Sequence, residues 1–224
     1  MLGRLRFIRS WREKRALKRN NIQCSEGHLG GYIAASSEPA PSGLQIEHGD
    51  PQTYTPELWR WAVESLGVRS VLDIGCGEGH ASLFFREQGC AVTAVDGSVL
   101  AHRNSVVPDV HVVHDFVEAP YTPERDFDLA WCCEFVEHVE ERYSENFLRA
   151  FEAAKFVMLT HAVPGQPGWH HVNCQTAEYW IERLNDHGFD YDAALTEESR
   201  ALSSGRHYRR RGLVFRRRAT EEHE

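Results

Sequence analysis

One nine-residue stretch limits the possible folds of this chain more than any other. Val71-Leu72-Asp73-Ile74-Gly75-Cys76-Gly77-Glu78-Gly79 is a short apolar strand that breaks into a turn with glycine at every second position. Such glycines allow backbone dihedrals closed to other residues and let the main chain approach a ligand closely. The turn runs into Gly79–Gln88, which places Ala81, Phe84 and Phe85 on one helical face and stops at Gly89. Strand, glycine turn and helix in that order are the opening of an α/β unit, and in open α/β sheets ligands sit beyond the carboxyl ends of the strands.

The rest of the chain repeats the alternation. Glu57–Leu66 has helical periodicity, and Ala91–Val95, Val110–Val113, Phe127–Cys132 and Phe156–Leu159 join Ser70–Ile74 as short strands. Asn146–Ala154 and Thr176–Asp186 read as helices between and after them. His207–Arg216 alternates in part and is expected as a late strand entering antiparallel. Short apolar strands separated by helices predict an α/β fold, a doubly wound, mostly parallel sheet covered on both faces.

The glycine turn does not belong to a nicotinamide or triphosphate site. His80 stands where the third glycine of G-x-G-x-x-G would fall, and no G-x-x-x-x-G-K-[ST] loop is present. Asp96 closes the second strand, 21 residues after Gly75, where a carboxylate can accept both hydroxyls of an adenosine ribose. The pattern D-x-G-x-G-x-G with Asp96 and Asp115 at successive strand ends resembles the class I S-adenosylmethionine (SAM)-dependent methyltransferases over about residues 57–217. That resemblance implies a seven-stranded Rossmann-like sheet. It implies that Asp73, Gly75, Cys76, Gly77 and Gly79 hold the methionine part of SAM and that Asp96 holds the ribose. Asp115 would take the adenine amino group with Phe116 against the ring, and Gly97 and Cys133 complete the expected cofactor set.

A sulfonium methyl is already electrophilic, so the enzyme must chiefly align a nucleophile, and a neutral hydroxyl needs help with its proton. Cys133-Glu134-Phe135-Val136-Glu137-His138-Val139 follows the fourth strand. As a helical turn it would set Glu134, Glu137 and His138 on one face, a mixed oxygen and nitrogen set open to Mg²⁺, Mn²⁺, Fe²⁺ or Zn²⁺. His171, His170 or His161 could add a fourth ligand from beyond the fifth strand. The alternative is an exposed acidic helix start, with His138 packing on the cofactor or acting alone as base. The stretch is similar to that of ubiquinone-biosynthesis O-methyltransferases and of small-RNA 2′-O-methyltransferases. The second family implies Glu134, Glu137 and His138 as metal ligands, with His170 or His171 as the second histidine. Glu137, His138, His170 and His171 are therefore the catalytic candidates. Tyr54 and Trp59, ahead of the first strand, are expected more as core or lid than as substrate contacts.

Charge is distributed unevenly. Residues 1–20 carry eight Arg or Lys against one Glu, and residues 206–218 carry seven Arg and no acid. Residues 21–205 hold 10 basic and 29 acidic residues, a net of −19, inside an overall charge of −8. The expected organisation is a basic arm (1–20), an irregular lead-in (21–56), a methyltransferase domain (57–218) and a short tail (219–224). Arg4, Arg6 and Arg9 interrupt any secretory apolar core, and no stretch is long and apolar enough to span a membrane. Six cysteines form no C-x-x-C pair, which points to reduced thiols in the cytoplasm. The leading expectation is O-methylation of a small polyol, sugar or glycan intermediate. The basic termini keep RNA ribose methylation in view, and a SAM-binding scaffold without turnover is the non-enzymatic alternative.

Overall fold

Strands buried on both faces must be apolar almost throughout, and this decides which strands lie at the centre. The computed structural model describes residues 50–219, together with a short antiparallel pair formed by Gln23–Cys24 and Ile33–Ala35. Its main sheet contains β1 (Ser70–Ile74), β2 (Ala91–Asp96), β3 (His111–Val113), β4 (Phe127–Cys132), β5 (Ala154–Leu159), β6 (Phe189–Tyr191) and β7 (Leu213–Arg217). The order is β3-β2-β1-β4-β5-β7-β6, with β1 and β4, the most completely buried strands, side by side near the middle. β1 pairs in parallel with both β2 and β4, whereas β7 runs antiparallel to β5 and β6. The expected α/β sheet with an antiparallel late strand is therefore present. The chain builds outward in one direction through β2 and β3 and in the other from β4, so the topological switch lies between β1 and β4, beside the glycine turn.

Neighbouring residues of a strand face opposite ways, and β1 supplies both cores. Leu72 and Ile74 pack with Phe147, Phe151, Leu159 and Trp180. Val71 packs on the other side with Trp59, Phe85, Val92 and Trp131. The helices are α1 (Pro56–Ser65), α2 (His80–Glu87), α3 (Val99–Arg103), α4 (Ser144–Phe151), α5 (Ala177–Asp186), α6 (Ala193–Leu202) and α7 (Arg206–Arg211). Trp59 is buried in the core, with Tyr54 edge-on at 5.0 Å between ring centres.

One expected element is replaced. The late strand read from His207 begins only at Leu213, and residues 206–211 form α7. The cause is Tyr208, fully buried and stacked on Trp131 of β4 at 5.3 Å with an interplanar angle of 18°. A helical turn delivers this ring inward while Arg206, Arg209, Arg210 and Arg211 stay exposed. Gly212 permits the fit, since a Cβ there would fall 2.4 Å from the tyrosine ring. The basic arm, most of the lead-in and residues 220–224 lie outside the described residues. Among those described, no helix is long and apolar enough to cross a membrane.

Candidate active site

The β1–α2 turn is drawn back over the sheet by its own backbone. Gly75 and Cys76 both donate their N–H groups to the Val95 carbonyl, at 2.9 and 3.2 Å. Gly75, Gly77 and Gly79 have φ of 72°, 53° and 83°, the left-handed region that disfavours any side chain. The three differ in what surrounds them. A Cβ on Gly75 would meet Phe135 at 2.4 Å and one on Gly79 would meet Val107 at 2.5 Å, while Gly77 faces open space. Asp96 holds the turn in place: its Oδ2 accepts the Gly77 N–H at 2.9 Å and its Oδ1 accepts the Ser98 N–H at 2.7 Å. Gly97 leaves room for His114 and Asp115, with the His114 carbonyl 3.4 Å from where its Cβ would lie.

Asp73 lies beneath the turn, where Ser82 of α2 donates a 2.7 Å hydrogen bond to its Oδ2. Burial lifts its pKa to about 7 against the lowering effect of Ser82, and the nearby Asp96 charge adds to the rise. Cys76 lies 3.7 Å from His111 Nε2, and burial pushes its thiol well up. Asp115 follows β3 and accepts the Val117 N–H at 2.8 Å. Phe116 is only 2% exposed, and its ring packs against Phe135 (5.3 Å) and Phe147 (6.4 Å), so it is a core residue here.

Beyond β4 the expected single face of Glu134, Glu137 and His138 is not formed. Glu134 takes φ of 55°, and the helical turn that follows is a 3₁₀ turn covering only Val136–His138. Glu134 is thereby turned away from the other two. Thr160 fixes it from both sides: its hydroxyl accepts the Glu134 N–H (2.7 Å) and donates to Glu134 Oε1 (2.9 Å). The other carboxylate oxygen, Oε2, lies 3.3 Å from His207 Nδ1, and His207 Nε2 lies 3.1 Å from Asp50 Oδ2. Burial raises the Glu134 pKa, against His207 and Thr160. Cys133 receives a weak contact from the Thr160 hydroxyl (3.9 Å), and burial pushes its thiol well up.

Glu137 and His138 meet His171 instead. One ligand-capable atom from each lies within 4.8 Å of the others, the sole such cluster of three among the described residues. The loop after β5 is fastened here by backbone: Val172 and Asn173 both donate to the Glu137 carbonyl, at 2.9 and 3.1 Å. Gly168 makes space for the His171 ring, 2.1 Å from where a Cβ would be. Glu137 has no exposure at all, and neither carboxylate oxygen is hydrogen-bonded to another residue. Burial, then the charge of Glu134, drives its pKa well above the carboxylate range. His138 Nδ1 faces the His170 carbonyl at 3.3 Å, and only an N–H can pair with a carbonyl, so the lone pair is on Nε2. Burial, reinforced by His171 and His170, holds the His138 pKa down to about 3. His170 contributes this carbonyl from φ of 51°. His161 is separate, buried, with Nδ1 at 3.1 Å from the Gln175 carbonyl.

A glycine cradle at the switch point, an acidic residue closing the second strand and a carboxylate–imidazole cluster after the fourth are now in place. A family model described as "Methyltransferase domain" matches residues 46–193, well over half of the chain. The chain belongs to this methyltransferase family. Among curated proteins it is similar to malonyl-[acyl-carrier protein] O-methyltransferase of Enterobacter lignolyticus, 37% identical over 84 residues, 34% of each chain. It is also similar to the mitochondrial ubiquinone biosynthesis O-methyltransferase of Schizosaccharomyces pombe, 37% identical over 82 residues, 33% of this chain and 30% of the relative. The chain thus spans about a third of the length of the curated relatives it matches. In fold it resembles magnesium protoporphyrin IX methyltransferase of Synechocystis with bound S-adenosylhomocysteine (SAH), with TM-score 0.54 and 18% identity. That alignment covers 72% of this chain and 80% of the other.

Four residues around the candidate site are not singled out by the sequence. Thr160, His207 and Asp50 act through contacts with residues distant along the chain, whereas Gly168 makes room for His171 only three residues on. Gly168 alone offered a hint, as a glycine between Pro167 and Trp169 that ends no helix or strand.

Proposed function

We propose that this chain transfers the methyl group of SAM to an oxygen of a small acceptor, with a polyol, sugar or glycan intermediate as the acceptor class. The observation that carries the proposal is the meeting of two features on one sheet edge. The Gly75–Gly79 cradle opens at Gly77, and the Glu137–His138–His171 cluster follows the adjacent β4. The residues suit SAM: Gly77 leaves space that a side chain would fill, and Asp96 closes the strand on which a ribose would rest. When bound, SAM supplies a methyl group on a positively charged sulfur. Asp96 keeps the cradle in register, and Phe135 closes over Gly75 and excludes water from that side. Without a metal, the unprotonated Nε2 of His138 can accept a hydrogen bond from the acceptor hydroxyl; with a metal bound, that same lone pair is the ligand instead.

The same cluster supports metal assistance. Glu137 is a buried carboxylate without a hydrogen-bond partner, and such a group is costly unless it is protonated or paired. Glu137, His138 and His171 would hold a divalent metal, and a neutral imidazole is the form that ligates. Such an ion supplies Lewis acidity that lowers the pKa of a hydroxyl. Turnover of SAM with a panel of sugars, phenols and RNA, with and without EDTA, tests both statements. The proposal expects methylated sugar or polyol, lost in Glu137→Ala with SAM affinity kept. EDTA-resistant turnover removes the metal, and activity confined to RNA replaces the acceptor class.

A further inference from the structure

His207 is not used by the chemistry above, yet each of its ring nitrogens faces a carboxylate. Glu134 holds Nδ1 at 3.3 Å, and Glu134 is itself locked at positive φ by the double contact to Thr160. Backbone strain of this kind persists where its surroundings over-determine it, and it clusters at functional positions. On the far side Nε2 meets Asp50 Oδ2 at 3.1 Å. Asp50 is tied differently, because its Oδ1 caps the Gln52 N–H (2.9 Å) and leaves only Oδ2 for the histidine. The side chains of His207 and Asp50 are 27% and 26% exposed, against 16% for Glu134, so solvent reaches the Asp50 side of the ring.

The geometry points to His207 as the docking group for an acid carried by the methyl acceptor, with the Asp50 carboxylate occupying that position until the acceptor displaces it. This rests on the methyltransferase reading and narrows its acceptor to an acid-bearing small molecule, such as a sugar acid. The ring is placed for the purpose. Glu134, which faces its Nδ1, directly precedes Phe135, whose side chain covers Gly75 of the cradle. Burial lowers the His207 pKa, but the Asp50 hydrogen bond and the Glu134 charge outweigh it, so the ring favours its cationic form. The approach is cationic as well. Arg209, Arg210 and Arg211 are exposed on the same short helix, and none makes an ion pair among the described residues. In a body of net charge −19 over residues 21–205, that helix is the surface an anion would meet favourably.

Isothermal titration of the full chain loaded with SAH, at pH 7, separates the possibilities. Glucuronate is compared with glucose, and malonate with malonamide, so that only the acid differs within each pair. The acids are expected to bind at least tenfold more tightly than their neutral counterparts. Asp50→Asn keeps the Gln52 cap but removes the competing charge, and it is expected to tighten acid binding on the order of tenfold. His207→Gln is expected to abolish the preference for acids while SAH affinity stays as in the parent. Equal binding of acid and neutral partners, weaker acid binding in Asp50→Asn, or no binding of any acid to either protein overturns the assignment. Should His207→Gln fail to fold, the Asp50→Asn comparison decides alone. Failure of SAH to bind, with Asp50→Asn still sharpening glucuronate binding, removes the methyltransferase reading and supports the dock.

Discussion

Alanine at Gly75 and alanine at Gly77 should do different damage, although the two glycines lie two residues apart in one turn. Both positions are left-handed, with φ of 72° and 53°, which costs an L side chain about 1–2 kcal/mol. At Gly75 the new methyl would also lie 2.4 Å from Phe135 Cδ2 and 2.6 Å from Phe135 Cβ. Rotating the phenyl ring relieves the first overlap but leaves the second, because Cβ moves only with the backbone. Overpacking of this sort adds about 1–3 kcal/mol. At Gly77 nothing lies within 4 Å of the added Cβ. Gly75→Ala should therefore be less stable than Gly77→Ala by about 1–3 kcal/mol, which for a chain of this size is a Tm difference of about 2–12 °C. Binding should rank the other way among the folded proteins. The methyl of Gly77→Ala projects into the space assigned to SAM, so this variant should lose only about 1–2 kcal/mol to left-handed strain and yet bind SAH at least tenfold more weakly. Urea melts followed by circular dichroism and titration with SAH measure both quantities. Equal destabilisation of the two variants, or undiminished SAH affinity in Gly77→Ala, would refute the division of the turn into a packed glycine and a ligand-facing one.

Further outcomes follow from single contacts. Asp96→Ala frees the Gly77 and Ser98 N–H groups at once, and with about 1–3 kcal/mol per unsatisfied buried donor it should weaken SAH binding by tenfold or more in the same titration. Thr160→Val removes both contacts that hold Glu134 and should destabilise by about 1–3 kcal/mol, whereas Thr160→Ser should recover most of the loss in urea melts. Asp73, raised from 3.8 to about 7, favours its protonated form in the fold. Its stabilising effect is fully present below about pH 4 and is lost as pH rises through 7, so the ligand-free urea midpoint should decline across that window less steeply in Asp73→Asn. A parent and variant with parallel pH profiles would show that Asp73 does not titrate there.

The parts of the fold that could be read ahead of the structure are those whose burial is continuous. β1 and β4 appear at Ser70–Ile74 and Phe127–Cys132, as expected, because a parallel strand covered on both faces has little choice but apolar residues. β6 spans only three residues, too few for a period to emerge, and α6 carries Glu197, Glu198 and Arg200 over a face that buries little beyond Thr196 and Ser199. Its cap, Asp192 accepting the Leu195 N–H, is a legible signal that composition obscures. α7 defeats the period argument outright, since one buried tyrosine among five cations looks the same in a strand or a helix. In the candidate site, Asp73, the glycines and Asp96 lie at strand ends, where a local pattern is visible in the sequence. The single helical face expected for Glu134, Glu137 and His138 does not form, because a non-glycine residue at φ of 55° has no sequence signature. His207 reaches Glu134 across 73 positions and Asp50 across 157, distances at which no pattern in a single sequence speaks.

The stacking of Tyr208 on Trp131 has a consequence outside the core. His207 is the next residue back along the chain, so the angle at which that imidazole meets its partners is inherited from how two aromatic rings settle against β4. A substitution at Trp131 or Gly212 would tilt the helix and with it the cation. Selection for a new acceptor could then work from beneath the sheet, adjusting specificity through residues that no acceptor ever touches.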